Sequence, residues 1–208
     1  MKALIFCDGE IPPISLFKSH LDNADLLIAA DGGAHHANYL GIIPDFIVGD
    51  MDSYEPTGTE NSVIVKDGDQ ETNDLEKALS LALNKSATHA VVVGATGQRL
   101  DHTLKNLSVL LQFHPKFSDL FFLDRYSTIH LIKSPFSQHF EPGTSVSLYP
   151  LSGTVEGITT KGLQYPLTDG ILKNGEQDGS SNKTVKKTVE IEFKKGDLLL
   201  LVNHKSTE

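Results

Sequence analysis

The 208-residue sequence predicts an N-terminal α/β domain with a mostly parallel sheet, residues 1–125, followed by an all-β sandwich domain, residues 126–208. In the first part, short and continuously apolar runs alternate with segments of helical periodicity, which is typical of strands covered on both faces. In the second part, apolar and polar residues alternate within short segments bounded by Gly, Pro and Asp. That alternation is compatible with a sandwich or with a barrel.

Six apolar runs are the predicted strands of the first domain. The helix predicted after the fourth run has its apolar residues spaced i, i+3, i+4, i+7 and i+8, from Leu75 to Leu83. A second helix follows the fifth run, with Leu100, Leu104, Leu107 and Leu111 on one stripe. The six runs are Ala3–Cys7, Leu26–Ala30, Phe46–Val48, Val63–Val65, Val91–Val93 and Leu120–Leu123.

The second domain is predicted to be all β, with a domain boundary between Asp124 and Ser127. Alternating polarity marks strands at Ser145–Leu148, Thr154–Thr159 and Val185–Phe193, and no segment has a convincing helical pattern. The residues at 194–197, Lys-Lys-Gly-Asp, predict a hairpin turn between two neighbouring strands.

Composition narrows the class of protein. A net charge of −9 without a basic patch argues against nucleic-acid binding. No apolar run approaches the ~20 residues that a membrane-spanning helix needs. A single cysteine, Cys7, and no secretion signal predict a cytoplasmic protein. An acidic protein that handles phosphates needs a cation between the two, so the charge already suggests a divalent metal.

Acidic residues follow three of the predicted strands. They lie in Asp31-Gly32-Gly33, in Gly49-Asp50-Met51-Asp52-Ser53, and in a segment that runs from Asp67 to Asp74. The carboxyl ends of parallel strands share one rim, where ligands bind in open α/β sheets. Asp50 and Asp52 would point the same way in extended backbone, and carboxylates are suitable Mg²⁺ ligands. The alternative is that Asp and Gly simply terminate strands, although three clusters on one rim favour a metal site.

Two helix starts also face this rim. Asn73 and Glu76 form a predicted capping box that fixes Asp74 at the first helical position. There, Asp74 either binds a ligand or only interacts favourably with the helix dipole. The segment from Gly94 to His102 joins a strand to a helix through glycines, which allow phosphates to approach backbone amides. Arg99 could bind a phosphate there, or it could form a structural ion pair with Asp101.

Read in order, these motifs resemble those of thiamine pyrophosphokinases, and the resemblance covers nearly the whole chain. The motifs are Asp31-Gly32-Gly33, Gly49 to Ser53, Asp69-Gln70-Glu71-Thr72-Asn73-Asp74, Gly94 to His102, Tyr149-Pro150-Leu151, Thr159 to Leu167, and Gly179-Ser180-Ser181-Asn182.

The resemblance implies an α/β nucleotide-handling domain and a thiamine-binding β-sandwich in a homodimer whose active sites lie at the subunit interface. It also implies transfer of diphosphate from ATP to thiamine, with Mg²⁺ as cofactor and AMP as the second product. Each motif then implies roles for its residues. The implied metal ligands are Asp50, Asp52 and Asp74; the nucleotide-side residues are Asp31, Gly32, Gly33 and Arg99; Asp101 lines the pocket; and Gln70, Ser181 and Asn182 contact thiamine from opposite sides of the interface.

The sequence departs from the family pattern at two positions and leaves two other functions open. The family usually has Thr at Asn73 and a second glycine at Gln98, and this chain has no Trp on which thiamine could stack.

Asp101 is a candidate general base for attack of the thiamine hydroxyl on the β-phosphorus. A metal-dependent nucleotide phosphohydrolase and a non-catalytic thiamine or nucleotide-binding protein are the alternatives. A binding protein, however, would gain little from several buried anions.

Overall fold

The structure, a computed structural model, describes residues 1–58 and 61–204. The chain folds into two compact units, unit 1 (Met1–Arg125) and unit 2 (Tyr126–Glu208). The last four residues of the predicted second domain, 205–208, lie outside the described residues. Within the described part of the chain, no helix combines the length and the apolar character that crossing a bilayer requires.

Unit 1 is an α/β unit, as predicted, and all six apolar runs are strands. The strands pair in parallel in the order β6-β5-β1-β2-β3-β4. The strands are β1 (Lys2–Phe6), β2 (Leu26–Ala30), β3 (Phe46–Gly49), β4 (Val63–Lys66), β5 (His89–Val93) and β6 (Asp119–Leu123). The helices are α1 (Ile14–Asp22), α2 (Gly33–Tyr39), α3 (Asp74–Asn84), α4 (Leu100–Phe113) and a 3₁₀ turn at His114–Lys116.

Helix α3 follows its predicted pattern, whereas the prediction for α4 was wrong about the face. Helix α3 buries Leu75 and Leu79 as the spacing indicates. In α4, Leu100 is 70% exposed and Leu104 is 57% exposed. The helix buries a second set of residues at helical spacing instead: Asn106, Val109, Leu110 and Phe113. Because α4 has two apolar stripes, packing decides which of them faces inward.

Unit 2 is an antiparallel β-sandwich, as predicted, and residues 126–204 contain no helix. One sheet has the order β12-β9-β14-β7 and the other the order β11-β10-β13-β8. Leu148 and Leu200 from the first sheet share a buried cluster with Ile158 and Ile191 from the second. The strands are β7 (Ser127–Ile132), β8 (Phe136–His139), β9 (Ser145–Pro150), β10 (Thr154–Lys161), β11 (Gly170–Lys173), β12 (Gly179–Lys183), β13 (Thr188–Glu192) and β14 (Leu198–Asn203).

The predicted hairpin at residues 194–197 was wrong, because β13 and β14 belong to different sheets. Lys194 and Lys195 continue the pairing beside β10: the Lys194 amide donates to the Glu156 carbonyl and the Glu156 amide to the Lys195 carbonyl, both at 2.9 Å. Gly196 then turns the chain with a φ of 102°, and a Cβ there would lie 2.4 Å from the Thr154 carbonyl oxygen. The segment therefore crosses from one sheet to the other.

Candidate active site

Three carboxylates meet at the carboxyl ends of the unit 1 strands. Asp31 follows β2, Asp50 follows β3 and Asp74 begins α3, and one oxygen from each lies within 4.8 Å of the others. Gly49 permits this approach: a Cβ there would lie 2.6 Å from the Cβ of Asp31 and 3.1 Å from Oδ1 of Asp74. We call Asp31, Asp50 and Asp74 the carboxylate triplet.

Asp31 is the most constrained member of the triplet. It is 1% exposed, its φ is 41°, and its carboxylate accepts hydrogen bonds from the backbone amides of Ser53 (3.0 Å) and Tyr54 (3.1 Å). Burial, together with the neighbouring carboxyls of Asp52 and Asp74, raises the pKa of Asp31 to about 6, although the hydrogen bond from the Ser53 amide lowers it. This carboxylate would therefore be stabilised by a nearby cation.

Asp74 is half-buried beside a buried lysine. Burial raises the pKa of Asp74, as do Asp50 and Asp52, while the Lys77 ammonium lowers it. The Nζ atom of Lys77 lies 3.6 Å from Oδ1 of Asp74, and the Lys77 side chain is 3% exposed. Sequence analysis missed Lys77, although its i+3 spacing from Asp74 on α3 was visible.

Asp50 and Asp52 are neighbours, with the Asp52 amide donating to Oδ1 of Asp50 (3.2 Å), but they do not lie on the extended backbone from which the sequence predicted that they would point the same way. Met51 has a φ of 65°, so the extended backbone on which that expectation depended ends between them. Gln70 donates to Oδ2 of Asp50 (3.0 Å) and is the first cause of a lowered Asp50 pKa. The exposed Asp52 carboxylate accepts from Oγ of Ser53 (2.8 Å). The structure thus adds Asp31 to Asp50 and Asp74, and the Asp52 carboxyl lies beside Asp31 and Asp50.

The predicted capping box is present and fixes Asp74 at the start of α3. Oδ1 of Asn73 accepts from the Glu76 amide (3.0 Å), and Oε2 of Glu76 accepts from the Asn73 amide (2.9 Å). The direction of Asp74 is therefore set by a rigid helix start rather than by a loop.

The loop between β5 and α4 forms another part of the rim. Gly94, Gly97 and Gln98 have φ angles of 72°, 81° and 51°. Gln98 thus holds the left-handed conformation that glycine adopts at least cost, which explains why glycine suits this position. The amides of Gly9 and Glu10 donate to the Gly94 and Thr96 carbonyls, both at 2.8 Å, and so brace this loop against the end of β1.

Arg99 and Asp101 form an exposed ion pair at the start of α4. Nε of Arg99 donates to Oδ1 of Asp101 (3.1 Å), and its NH2 group donates to Oδ2 (2.6 Å). The guanidinium lowers the pKa of Asp101 to about 2. An acid this strong is a poor proton acceptor near neutral pH, which argues against Asp101 as the general base as long as Arg99 remains bonded to it.

A cleft of about 350 Å³ joins these features within unit 1. It is lined by Gly32, Asp74 and Arg99 among the predicted residues, and by His102, Lys105 and Asn106, which the site prediction did not include. Gly33 lies behind the cleft at the start of α2, where a Cβ would lie 2.1 Å from the Phe6 carbonyl oxygen.

The two predicted thiamine-side residues of unit 2 differ in exposure. Ser181 is exposed with a φ of 58°, and its amide donates to Oγ of Ser147 (3.1 Å). Asn182 is buried, and its side chain bonds both backbone groups of Tyr165: Oδ1 accepts from the amide (3.1 Å) and Nδ2 donates to the carbonyl (2.8 Å). Asn182 therefore fixes the backbone that carries the exposed Tyr165 ring.

A parallel α/β unit with clustered carboxylates and a glycine-rich loop at its strand ends, joined in sequence to a β-sandwich, defines a class of two-unit α/β enzymes. Comparison of the chain with models of known protein families identifies a family within this class. The model described as the thiamin pyrophosphokinase catalytic domain matches residues 17–122, and that described as the thiamin pyrophosphokinase vitamin B1 binding domain matches residues 129–198. The chain therefore belongs to the thiamin pyrophosphokinase family.

Individual relatives agree with this assignment. The chain is 28% identical to thiamine pyrophosphokinase 1 of Oryza sativa subsp. japonica, over 82% of this chain and 76% of that one. It is 27% identical to the thiamine pyrophosphokinase of Bacillus subtilis strain 168, over 88% and 89%. The crystal structure of thiamine pyrophosphokinase from Bacillus subtilis shares the fold, with a TM-score of 0.83 over 99% of this chain and 100% of that one at 24% identity.

Proposed function

We propose that this chain transfers the diphosphate group of ATP to the hydroxyl group of thiamine, giving thiamine diphosphate and AMP. Family membership supports thiamine as the acceptor. The observation that supports the phosphate chemistry is the carboxylate triplet, whose oxygens lie within 4.8 Å of one another. Asp74 of this triplet lines the same cleft as Arg99.

The triplet fits Mg²⁺, the cation that the family resemblance implies. Its donors are hard carboxylate oxygens, and the pKa values of Asp31 and Asp74 are raised by burial first and by neighbouring carboxyls second, both of which a bound cation would offset. We propose that Asp31, Asp50 and Asp74 hold Mg²⁺ and that Asp52 supports them from beside Asp31. When bound there, Mg²⁺ would neutralise charge on the phosphate oxygens of ATP.

The remaining residues of the cleft would orient ATP. Diphosphate transfer depends mainly on alignment and charge neutralisation, so a fixed arginine and accessible backbone amides are suitable groups. Arg99 would exchange one or both of its bonds to Asp101 for phosphate oxygens, and the backbone around Gly94 and Gly97 would lie against the phosphates. Asp101, ionised throughout, would accept hydrogen bonds from substrate.

Gln70 of one subunit and Ser181 of the other are proposed to contact thiamine directly, and Asn182 to contribute indirectly. The bond from Gln70 to Asp50 would connect the acceptor to the triplet. Asn182 would act through the Tyr165 backbone, because its amide atoms are bonded there.

A homodimer with active sites at the subunit interface, and a cytoplasmic location, remain predictions from the sequence. If each site uses both subunits, mixing inactive Gln70→Ala and Asn182→Ala dimers should restore up to about one quarter of wild-type activity.

One assay separates this function from its alternatives. The protein is incubated with ATP and Mg²⁺, with and without thiamine, and AMP and thiamine diphosphate are quantified by chromatography. We expect equal amounts of both products, formed only when thiamine is present. A phosphohydrolase would release AMP or phosphate without thiamine, and a binding protein would form no product; either result would refute the proposal. Asp74→Asn is the control for a contaminating activity.

A further inference from the structure

The side chain of Asn73 does more than cap α3. While Oδ1 accepts from the Glu76 amide, Nδ2 donates to Oδ1 of Asn106 on α4 (2.9 Å). Nδ2 of Asn106 in turn donates to the backbone carbonyl of Ala95 (2.8 Å). Asn106 is buried, so its bond to the Ala95 carbonyl is shielded from water, while the bond from Asn73 is half-buried. The two amides thus form a continuous chain of hydrogen bonds from α3 to the β5–α4 loop, which we call the amide relay.

The chemistry of its two ends fixes the direction of the relay. The Ala95 carbonyl can only accept, so Asn106 must present its NH₂ group there and its oxygen to Asn73. The Glu76 amide can only donate, so Asn73 must present its oxygen there and its NH₂ group to Asn106. Reversing either side chain would oppose like groups at one or both of its contacts. The relay therefore has a single satisfied arrangement.

The ends of the relay lie at the two proposed halves of the catalytic cleft. Asn73 immediately precedes Asp74 of the carboxylate triplet, and Ala95 lies in the loop that leads to Gly97 and Arg99. All five of Asn73, Asp74, Ala95, Asn106 and Arg99 line the same cleft. A shift of the start of α3 or of the β5–α4 loop would stretch the hydrogen bonds of the relay.

We infer that Asn73 and Asn106 are positioning residues that hold the carboxylate triplet and the phosphate-side loop at a fixed separation. This inference rests on the proposed function for its catalytic consequence. The relay keeps the Asp74 carboxylate in register with the loop before substrate binds, which lowers the cost of aligning ATP. Both residues act through their neighbours and touch no reacting atom.

The relay also gives a reason for asparagine at position 73, where the family usually has threonine. An asparagine amide has two separate polar atoms, one for the Glu76 amide and one for Asn106. A threonine hydroxyl can both accept and donate, but its oxygen is attached one bond closer to the backbone than Nδ2 of asparagine, so we expect it to reach the Glu76 amide and not Asn106. Asn73→Thr should therefore keep the helix cap and lose the bond to Asn106.

The first test measures how firmly the β5–α4 loop is held, and it requires neither enzyme activity nor bound metal. The amides of Gly9 and Glu10 donate to Gly94 and Thr96, the neighbours of Ala95, so their hydrogen exchange reports the position of the loop. By NMR, exchange of both amides should accelerate by up to about tenfold in Asn73→Thr and in Asn106→Ala, the size expected for one lost hydrogen bond. Combining the substitutions should add little, since both break one chain. Exchange within about twofold of wild type, or fully additive effects, would overturn the relay.

Controls separate the relay from general destabilisation. Ser108→Ala removes a hydroxyl on the exposed face of the same helix and should leave both amides unchanged. Asn106→Ala empties a buried position; if it does not fold, Asn73→Thr decides the outcome alone, because that variant keeps its cap.

The second test measures catalysis. We expect kcat of Asn73→Thr to fall by about tenfold with the KM for thiamine unchanged, because misalignment affects the reacting phosphate more than the acceptor. Faster amide exchange with an unchanged kcat would show a purely structural link and overturn the positioning role. A wild-type protein that forms no AMP with thiamine would refute the proposed function, while the exchange experiment would still decide whether the relay exists.

Discussion

Two groups of acidic side chains lie on unit 1, and their surroundings give them opposite properties. In the carboxylate triplet, burial and neighbouring carboxyls raise the pKa of Asp31 to about 6 and also raise the pKa of Asp74. At the start of α4, the exposed Asp101 bonds Arg99 through both oxygens, and its pKa falls to about 2.

The difference shows that acidic residues at similar points of an α/β unit need not do similar chemistry. The triplet collects negative charge that the protein neutralises only in part through Lys77, so it is suited to a cation. The Arg99–Asp101 pair is already neutral as a unit and is suited to exchange one partner for a phosphate. Substitutions and pH changes should therefore affect the two groups differently.

The triplet should tolerate loss of a charge poorly. Asp74→Asn should lower kcat/KM by about 10²-fold or more, because it removes a proposed metal ligand, whereas Asp52→Asn should cost less because Asp52 lies outside the triplet. Steady-state kinetics at several Mg²⁺ concentrations measure both, with thermal unfolding as the control for folding. Near-normal turnover of Asp74→Asn would remove this residue from the site.

Substitutions of Arg99 in the exposed pair should lower activity because they remove the planar arrangement of donors that binds phosphate. Arg99→Met should lower kcat/KM by about tenfold or more, and Arg99→Lys should recover only part of the loss, because an ammonium group lacks the planar fork of guanidinium. The two variants are compared with the wild type by kcat and by the KM for ATP. If Lys restored full activity, charge alone would account for the role of Arg99.

The two groups should respond to pH in different ranges. The folded pKa of Asp31 lies above its ordinary value of 3.8, so its contribution to the stability of the metal-free protein is full below pH 3.8 and is lost as the pH rises through about 6. Asp101 has the reverse sign: its contribution is present above pH 3.8 and is lost as the pH falls through about 2.

Thermal unfolding in chelator between pH 4 and 7 measures the Asp31 contribution, and Asp31→Asn should flatten the curve in that range. Added Mg²⁺ should stabilise the wild type at pH 7 and lose this effect below about pH 6, where protons compete for the same oxygens. Equal stabilisation by Mg²⁺ at pH 5 and pH 7 would contradict the assignment of Asp31 to the metal site.

The smallest effect concerns the start of α3. Asn73→Ala should lower the free energy of unfolding by about 0.5–2 kcal/mol, because the Glu76 amide loses its acceptor. The stability of Asn73→Thr should fall between those of the wild type and Asn73→Ala, because the Thr variant keeps the cap and loses only the bond to Asn106. Chemical denaturation measures both variants. A Thr variant as unstable as the Ala variant would show that the cap depends on both atoms of the amide.

Features that depend on local pattern could be predicted from the sequence alone. The six apolar runs became six strands because they are rich in residues that favour extended backbone; five of them are largely buried, whereas Val63 of β4 is 55% exposed. The capping box at Asn73 and Glu76 formed because both halves lie within one helical turn. The acidic rim and Arg99 followed from the residues at the ends of the predicted strands, and family membership followed from the ordered motifs, before any distance was known.

Which of these residues meet depended on long-range packing. Asp31 joins Asp50 and Asp74, because strand register and the missing side chain of Gly49 set the separation of residues far apart in the chain. Helix α4 had two apolar stripes, and β13 could have continued into a hairpin, until packing selected one surface and Gly196 redirected the chain. Distances and burial arise from contacts between distant segments, and a local sequence pattern carries no information about them.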